Sequence, residues 1–456
     1  MNGNGADLVY LLAAVCFIIA LKGLSGPRTA RAGNLIGAFG ALLAVITVFA
    51  AEDLDHIGLI LATIAVGAVV GAFVSRRVAM TAMPQLVAAF NGVGGGAAAL
   101  VALIELSGAD SRSTLIAALF TVVVGSVSFS GSAVTFLKLQ ELITGRPITF
   151  PGGPYLFGAL VAADLGACGW AYHQQDSVAL PAAVVVLLSL VVGVLFVLPV
   201  GGADVPIVIS LLNAFTGLTV AASGYVLTNT LLLVAGTLVG ASGTILTRMM
   251  AQAMGRSVAS ILFGAFRGGT TAGSTEVSDR PVRSAGAEDV AILLAYARKV
   301  VIVPGYGLAV AQAQHTINEL VEVLQARGVD VIYGIHPVAG RMPGHMNVLL
   351  AEASVPYDQL KEMDEANSEL PSTDVALVVG ANDVVNPAAL TTPGSPIYGM
   401  PILTVGEARA VVFLKRSMRP GFAGIENELL YDSKTTLLFG DAKDSLTKVL
   451  QALKGL

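Results

Sequence analysis

The sequence is poor in charged residues and in cysteine. Only 12% of its 456 residues are charged, whereas a soluble domain carries about 25%. The 26 lysines and arginines do not outnumber the 31 acidic residues, so there is no basic excess for nucleic-acid binding. Cys16 and Cys168 both lie in apolar runs, which excludes a disulfide framework and a CxxC metal site. The apolar content of 55% excludes a disordered chain and favours a membrane protein.

The low charge content is an average over two different parts. Residues 1–267 hold 21 charged residues (11 basic and 10 acidic), about 8%, whereas residues 268–456 hold 36 (15 basic and 21 acidic), about 19%. The first part has the composition of a membrane domain, and the second that of a soluble domain. We therefore expect a transmembrane domain at 1–266, a flexible Gly/Ser/Thr-rich linker at 267–286 and a soluble domain at 287–456.

Nine apolar segments come close to or reach the length of about 20 residues that a membrane span needs. They are residues 8–21, 33–50, 57–75, 85–105, 114–137, 155–172, 180–200, 205–223 and 228–250. Ten of the 11 basic residues follow odd-numbered segments, while the other loops are acidic or neutral. The positive-inside rule then places the N-terminus outside and the soluble domain in the cytoplasm. The loop at 199–204 has no basic residue and is the weakest point of this topology.

Small and polar residues stand out within these segments. Four glycine pairs have the small-xxx-small spacing that lets helix backbones approach closely: Gly33/Gly37, Gly67/Gly71, Gly92/Gly96 and Gly236/Gly240. Four polar residues lie inside or at the edge of a segment: Asn91, Asp164, Asp204 and Asn213. Polar groups are costly in a membrane, which favours a functional role. A hydrogen bond between helices is the alternative for each asparagine.

Short apolar runs alternate with helical patterns in the second part. Strands are predicted at 299–303, 329–335, 347–351, 375–379, 401–405, 410–414 and 436–439. Helices are predicted at 308–327, 356–369 and 441–453, the last with Asp441 as its N-cap. The expected fold is therefore a bundle of about nine membrane helices followed by an α/β Rossmann-like domain with a doubly wound parallel sheet.

The loops after the first and fourth of these expected sheet strands carry candidate ligand residues. Gly305, Gly307 and Val310 form a GxGxxV pattern, in which the glycines make a turn and bring backbone amides close to a pyrophosphate. Val310 stands where a third small residue is usual and predicts a looser contact between helix and strand. A bare strand–turn–helix is the alternative. Asp383 follows the strand at 375–379, on the edge that faces a ligand, while Asn386 indicates Asx-turn and N-cap chemistry instead.

Charges near the adenosine ribose favour NADP(H) over NAD(H). The acid that follows the second strand in an NAD site is missing, and Arg341 comes next instead. Further on, Lys415, Arg416 and Arg419 lie at the end of one strand and in its loop, where adjacent cations suit a phosphate dianion. Ser417 adds a hydroxyl to this group. A solvated basic loop is the alternative.

Four runs of residues resemble one known family, at 304–314, 334–348, 380–387 and 415–418. Together with the nine spans and the linker, they resemble the β subunit of proton-translocating NAD(P) transhydrogenase along nearly the whole chain. The resemblance implies hydride transfer from NADH to NADP⁺ coupled to inward proton movement in a bacterial inner membrane. It implies that this chain binds NADP(H) and forms part of the proton channel. Because only one dinucleotide fingerprint is present, NAD(H) would be bound by a partner α subunit that brings further membrane helices, in a symmetric dimer of αβ units.

The resemblance also implies roles for individual residues. NADP(H) would bind in a reversed orientation beneath a lid at 418–425, with Lys415, Arg416 and Ser417 on the 2′-phosphate. The other nucleotide-site residues would be Gly305, Tyr306, Gly307, Val310, Ala311, Val338, Ala339, Gly340, Arg341, Gly380, Asn382, Asp383, Met418, Gly421, Gly440, Asp441 and Ala442. Proton coupling would involve Asn91, Asp204, Asn213 and Asp383, together with the stretch at 240–243.

Asn91 departs from the pattern of the family, in which many members have histidine at this position. An asparagine side chain cannot titrate, so the titrating group would come from a partner subunit's helix or from Asp164. A ligand-gated channel with a nucleotide-binding domain is the alternative function, but the TVGYG filter of potassium channels is absent and the one GYG, at 305–307, lies in the soluble part. A solitary membrane reductase would need a flavin or haem ligand pattern, which the sequence lacks.

Overall fold

The computed structural model describes residues 3–51, 54–78, 82–108, 111–145, 147–174, 178–201, 204–253, 257–263, 280–340, 344–393, 395, 397–421 and 423–456. The chain forms two compact units. One comprises Met1–Val200 with Ile207–Thr247, and the other comprises Gly201–Pro206 with Arg248–Leu456.

Nine helices among the described residues are long and apolar enough to cross a membrane, which confirms the number predicted from hydropathy. They are α1 (Gly3–Leu24), α2 (Pro27–Ala51), α3 (Ile57–Arg77), α4 (Met83–Glu105), α5 (Arg112–Leu139), α6 (Gly153–His173), α7 (Ala179–Val197), α8 (Val205–Val226) and α9 (Thr230–Ala253). A short helix, α10 (Val258–Phe263), follows.

Glycines set the closest helix contacts of the first unit. Where α8 meets α9, a Cβ on Gly236 would lie only 2.7 Å from the carbonyl oxygen of Gly217. Since neither residue has a side chain, the two backbones can touch. The pairs at 33/37, 92/96 and 236/240 all face another helix of the chain. Gly67 and Gly71 have no atom of another described segment within 4 Å.

The second unit contains a six-stranded, entirely parallel sheet. Its strands are β1 (Lys299–Pro304), β2 (Asp330–Ile335), β3 (Leu360–Glu362), β4 (Val375–Val379), β5 (Ala410–Lys415) and β6 (Thr435–Phe439). Their order across the sheet is β3-β2-β1-β4-β5-β6. This is the doubly wound arrangement with its reversal between β1 and β4. The expected fold class is confirmed.

Helices cover both faces of the sheet. They are α11 (Ala287–Ala295), α12 (Tyr306–Val310), α13 (Gln314–Ala326), α14 (His345–Glu352), α15 (Met363–Glu369), α16 (Ala388–Thr391) and α17 (Ala442–Gly455). Alternate strand residues enter opposite cores. Val300 and Ile302 pack with α11, α13, α14 and α17, whereas Val301 and Val303 pack on the face that α15 covers.

Four elements differ from those predicted. The single helix expected at 308–327 is two helices, because Gln312 adopts a φ of 52° between α12 and α13. The strand expected at 347–351 is α14, which buries Met346, Leu349 and Leu350 at helical spacing. The segment expected to be helical at 356–369 contains β3 before α15.

The fourth difference is the strand expected at 401–405. Its backbone pairs with loops and with a side chain instead of with a neighbouring strand. Asn367 donates to the carbonyl of Ile402 and accepts from the N–H of Thr404, both at 3.0 Å. Leu403 donates to the carbonyl of Val384. The apolar side chains of residues 401–405 are largely buried, but the segment is not a strand of the sheet.

Candidate functional site

The carboxyl ends of β1 and β4 form the reversal point of the sheet, where doubly wound folds bind ligands. Gly305 donates its N–H to the carbonyl of Val379 at 2.8 Å, and Gly307 donates to the carbonyl of Gly380 at 2.9 Å. A Cβ on Gly307 would lie 2.6 Å from the Cα of Gly380. The amides of both glycines are therefore bonded to the end of β4 and its loop, and the glycines permit that close approach.

The short helix α12 packs more tightly than the GxGxxV pattern predicted. Leu308 and Ala309 are fully buried against the sheet, whereas the side chain of Val310 is 46% exposed. The expectation that Val310 loosens the contact is wrong, because this residue does not face the strands. Ala311 ends the helix, and the ring of Tyr306 lies 6.3 Å from that of His345.

His336 fixes the loop that follows β2. It is buried, and its Nε2 donates to the carbonyl of Pro401 at 2.8 Å while its Nδ1 accepts from the N–H of Val338 at 3.2 Å. Burial lowers the pKa of His336, and the Pro401 carbonyl counters this in part. The ring therefore favours its neutral form and holds Val338, Ala339 and Gly340 near the loop at 401–405.

In this loop, Gly340 has a φ of 106° and approaches His345 so closely that a Cβ would lie 2.7 Å from that residue's Cβ. Arg341, which the sequence placed at the adenosine ribose, lies outside the described residues. His336 directly follows the buried strand β2, and this position is the one signal in the sequence that could have identified it as a site residue.

Asp383 connects the β4 loop to the predicted lid at 418–425, of which Phe422 lies outside the described residues. Its Oδ2 accepts from the N–H of Ala423 at 2.8 Å, and its Oδ1 accepts from the side-chain amide of Asn382 at 3.2 Å. A Cβ on Gly421 would lie 3.0 Å from the Asp383 carboxyl carbon. The carboxylate therefore anchors the backbone of the lid segment with a charge-assisted hydrogen bond.

Two asparagines fasten the end of the same segment. Buried Asn386 donates to the carbonyl of Glu426 at 3.0 Å, and its Oδ1 accepts from the N–H of Ala388, which is the predicted Asx turn. Buried Asn427 donates to the carbonyl of Asn382 at 3.2 Å. No spacing signal in the sequence indicates Asn427, because its partner lies 45 residues away.

Lys415 ends β5 beside these groups. Its Nζ donates to Asn382 Oδ1 at 3.4 Å and to the carbonyl of Arg419 at 3.3 Å. Burial lowers the pKa of Lys415, while the nearby Asp383 carboxylate partly restores it. The structure thus brings together Asn382, Asp383 and Lys415, three of the residues predicted for the nucleotide site.

The residues after Lys415 form an open basic surface. Arg416 is exposed and makes no ion pair with any described residue, and Ser417 beside it is half-buried. Met418 packs against the core beneath the sheet. A cation and a hydroxyl are therefore accessible where β5 ends.

The turn after β6 lies next to the same edge. Gly440 donates its N–H to the carbonyl of Lys415 at 3.0 Å and has a φ of 152°. Asp441 accepts from the N–H of Lys443 at 2.9 Å and caps α17, as predicted, with Ala442 as its first residue. These three sequence-predicted residues are thus joined to Lys415 through the backbone.

In the membrane unit, Asn91 lies in a polar network that joins three helices. Its amide donates to the hydroxyls of Ser132 at 2.9 Å and Ser128 at 3.3 Å, both on α5. Ser128 in turn contacts the hydroxyl of Thr216 at 2.6 Å and the carbonyl of Leu212, both on α8. The hydrogen-bond alternative for Asn91 is therefore present in the structure, within a network that could also carry a function.

The other three polar residues are Asn213, Asp204 and Asp164. Asn213 is half-buried and has no hydrogen-bond partner among the described residues, although its neighbour Leu212 belongs to the network. Asp204 is half-buried just before α8. Asp164 is buried on α6, where its Oδ2 accepts from the hydroxyl of Ser189 on α7 at 2.8 Å. Its Oδ1 has no partner among the described residues.

Lys138, which served only as a topology marker in the sequence analysis, is a buried residue. Its side chain extends from α5 to the end of α7, where Nζ donates to the carbonyls of Leu198 at 2.6 Å, Val197 at 3.3 Å and Val200. The loop at 199–204 had no basic residue of its own in the sequence. In the structure, the ammonium group of Lys138 lies at the start of this loop, at the C-terminal end of α7. The helix dipole favours a cation at this position.

The comparisons with known proteins agree with this architecture. A family model described as "NAD(P) transhydrogenase beta subunit" matches residues 6–452. The chain belongs to this family. The NAD(P) transhydrogenase subunit beta of Rhodospirillum rubrum is 46% identical over 456 residues, covering 97% of this chain and 98% of that protein. A protein of the same name from a strain of that species matches with the same identity and coverage. The family and the transhydrogenase enzyme class expected from the four runs of residues are confirmed.

Proposed function

We propose that this transhydrogenase beta subunit binds NADP(H) at the carboxyl edge of its sheet, in the domain at 287–456. A beta subunit implies an alpha subunit, and we assign NAD(H) to that partner because this chain carries one dinucleotide fingerprint. The activity is hydride transfer from NADH to NADP⁺, driven by inward proton movement through the domain at 1–266. The working assembly is a symmetric dimer of αβ units.

The observation that carries the nucleotide assignment is the basic end of β5. Lys415 is bonded to a neutral amide and a carbonyl, and Arg416 makes no ion pair with described residues. Two cations with a hydroxyl at Ser417 form a donor set that suits a phosphate dianion. NAD(H) lacks that 2′-phosphate, so these donors favour NADP(H).

The protein's part in the reaction is to hold and position. NADP(H) supplies the nicotinamide that exchanges the hydride, so no side chain has to do acid–base chemistry on it. Lys415, Arg416 and Ser417 would hold the phosphate. Asp383 holds the lid segment by the N–H of Ala423, and His336 holds the loop after β2. Remaining nucleotide contacts would come from the other predicted site residues around this edge.

For the membrane domain we propose a channel that includes the Asn91 network, Asp204 and Asn213. Asn91 positions hydroxyls and does not itself exchange a proton, so the titrating group is on a partner subunit's helix or is Asp164. The orientation that fits has the N-terminus outside a bacterial inner membrane and the nucleotide domain in the cytoplasm. The cation that Lys138 brings to the end of α7 supports placing that end on the basic side.

Selectivity between NADPH and NADH tests the nucleotide assignment. In R416Q we expect NADPH binding to the αβ complex to weaken about tenfold or more, because a hydrogen bond to a charged group is lost, while NADH binding at this site stays weak. The matched control is R409Q. Arg409 is also exposed and stands at the opposite end of β5, paired with Asp374. Equal NADPH affinity in R416Q and R409Q would contradict the assignment.

The same complex in vesicles tests the titrating group. If Asp164 exchanges the proton, D164N should abolish NADH-driven proton uptake together with NADP⁺ reduction. Full pumping by D164N assigns the titrating group to the partner.

A further inference from the structure

Arg280, the first residue described after 263, joins a compact cluster on the nucleotide-binding unit. Its guanidinium makes two hydrogen bonds to the carboxylate of Glu428, at 2.7 and 2.9 Å. It also lies 3.6 Å from the carboxylate of Glu426 and 3.9 Å from the centre of the Tyr431 ring. The Tyr431 hydroxyl donates to Glu426, which closes the cluster. A bidentate, stacked guanidinium fixes direction as well as charge, which a lysine could not do.

This cluster is continuous with the predicted nucleotide site. Glu426 and Glu428 flank Asn427, whose amide donates to the carbonyl of Asn382. The carbonyl of Glu426 accepts from Asn386, in the same loop after β4. Asn382 accepts from Lys415. Three successive residues of the chain therefore connect Arg280 on one side to the phosphate-binding candidates on the other.

The lid segment at 418–425 is held at two points. Asp383 accepts from the N–H of Ala423 within the segment, and the Arg280 cluster holds residues 426–431 directly after it. Loss of the downstream anchor would leave the segment held mainly by hydrogen bonds to single loop residues. We therefore expect the mobility of the lid segment to depend on Arg280.

The position of Arg280 in the chain makes this contact mechanically important. Just after it, the backbone is fixed to the sheet: Leu437 donates to the carbonyl of Arg283, and Ala285 donates to the carbonyl of Leu437. Arg280 precedes this attachment, on the side of the covalent connection to α9. A displacement of the chain before residue 280 therefore acts first on the contacts of the Arg280 side chain and only then on the backbone bonds to the sheet.

We propose that Arg280 is a positioning residue that ties the chain leading from the membrane domain to the lid segment over NADP(H). The proposal rests on the proposed function. Displacement of this chain pulls on Glu428 and, through Asn427 and Asn382, changes how tightly the site holds NADP(H). Because coupling between two sites is reciprocal, the bound nucleotide also biases the position of Arg280 and of the chain before it.

The test measures NADPH release from the αβ complex in sealed vesicles, with and without an inward proton gradient. In wild type we expect the gradient to change the release rate. R280Q and E428Q should each release NADPH about fivefold faster or more without a gradient, at the low end of typical coupling, and should respond less to the gradient. R280K, which keeps the charge but loses the bidentate geometry, should lie between wild type and R280Q. The exchanged pair R280E/E428R should recover part of the wild-type behaviour.

The matched control is K454Q. Lys454 on α17 and Glu319 on α13 form an ion pair of 2.6 Å, and their side chains are 51% and 52% exposed. Neither helix belongs to the lid segment. K454Q should keep wild-type release and gradient response. If R280Q and E428Q behave like K454Q while wild type binds NADPH, the inference about Arg280 is refuted and the proposed function stands. If wild type does not bind NADPH, the proposed function fails and this inference with it.

Discussion

Replacing Lys138 by methionine should loosen the end of α7. Methionine preserves the length of the side chain and removes its charge and all its donors. The three carbonyls that Lys138 contacts then depend on their other partners. Val197 keeps a bond from the N–H of Val200, and Leu198 keeps one from the N–H of Ile148. Among the described residues, no other donor reaches the carbonyl of Val200, which therefore loses its hydrogen bond.

The expected cost follows from this inventory. One buried carbonyl without a partner costs about 1–3 kcal/mol, and a cation lost from a helix C-terminus costs about 0.3–1 kcal/mol more. The substitution also removes the cost of burying an ammonium group, which offsets part of this loss of stability. A net loss of about 2 kcal/mol corresponds to local opening at residues 198–201 that is about thirtyfold more frequent.

Amide hydrogen exchange of the purified αβ complex, resolved over residues 198–201, would measure this opening. K138R, which retains a cation and donors, should exchange nearly as slowly as wild type. The control R77M removes an exposed arginine from the end of another span, where it lies over the ring of Phe73, and should change the stability by less than about 0.5 kcal/mol. If the amides of residues 198–201 exchange as slowly in K138M as in R77M, then Lys138 does not cap α7 and the reasoning is refuted.

Two further predictions concern the nucleotide-binding unit. Because burial lowers the pKa of His336 below its ordinary value of 6.5, the stability that comes from the neutral ring is present above pH 6.5 and is lost as the pH falls through the lower, folded-state pKa. H336Q should therefore flatten this part of the dependence of the unfolding midpoint on pH, and an unchanged profile would contradict the assignment. G307A places a Cβ 2.6 Å from the Cα of Gly380 and should lower both the unfolding midpoint and NADPH affinity. The control G455A, with no atom within 4 Å, should alter neither, and equal behaviour of the two variants would refute the packing argument.

The strands at the centre of the sheet could be predicted because their sequences are unambiguous. β1, β4 and β5 are short, almost continuous β-branched or apolar runs, which is typical of strands buried on both faces. The run at 347–351 has four apolar residues after Asn347 but belongs to a helix. Four apolar residues are too few to separate a period of 2 from one of 3.6, so only tertiary packing decides between them.

The candidate site was predictable to the extent that its residues follow strands. Asp383 lies in the loop after β4 and Lys415 ends β5, and adjacent parallel strands bring their carboxyl ends together. The glycines after β1 were also found, although their amides turn toward the β4 loop and not toward open space. A spacing pattern specifies where a backbone can come close to something, and the fold determines what that partner is.

Contacts between distant segments could not be predicted from one sequence. The bond between Arg280 and Glu428 joins residues 148 apart, and the bond between Lys138 and Leu198 joins residues 60 apart. Hydropathy treats a lysine at the end of a span in the same way whether its ammonium reaches water or folds back onto a neighbouring helix. In both cases the cation lies where the sequence changes from one segment type to another, beside a break in the apolar or regular pattern. A charged residue at such a boundary therefore has to be checked for a partner in the fold before it is counted as a topology marker. A topology marker should be exposed to water, whereas a residue that binds a neighbouring helix should be buried.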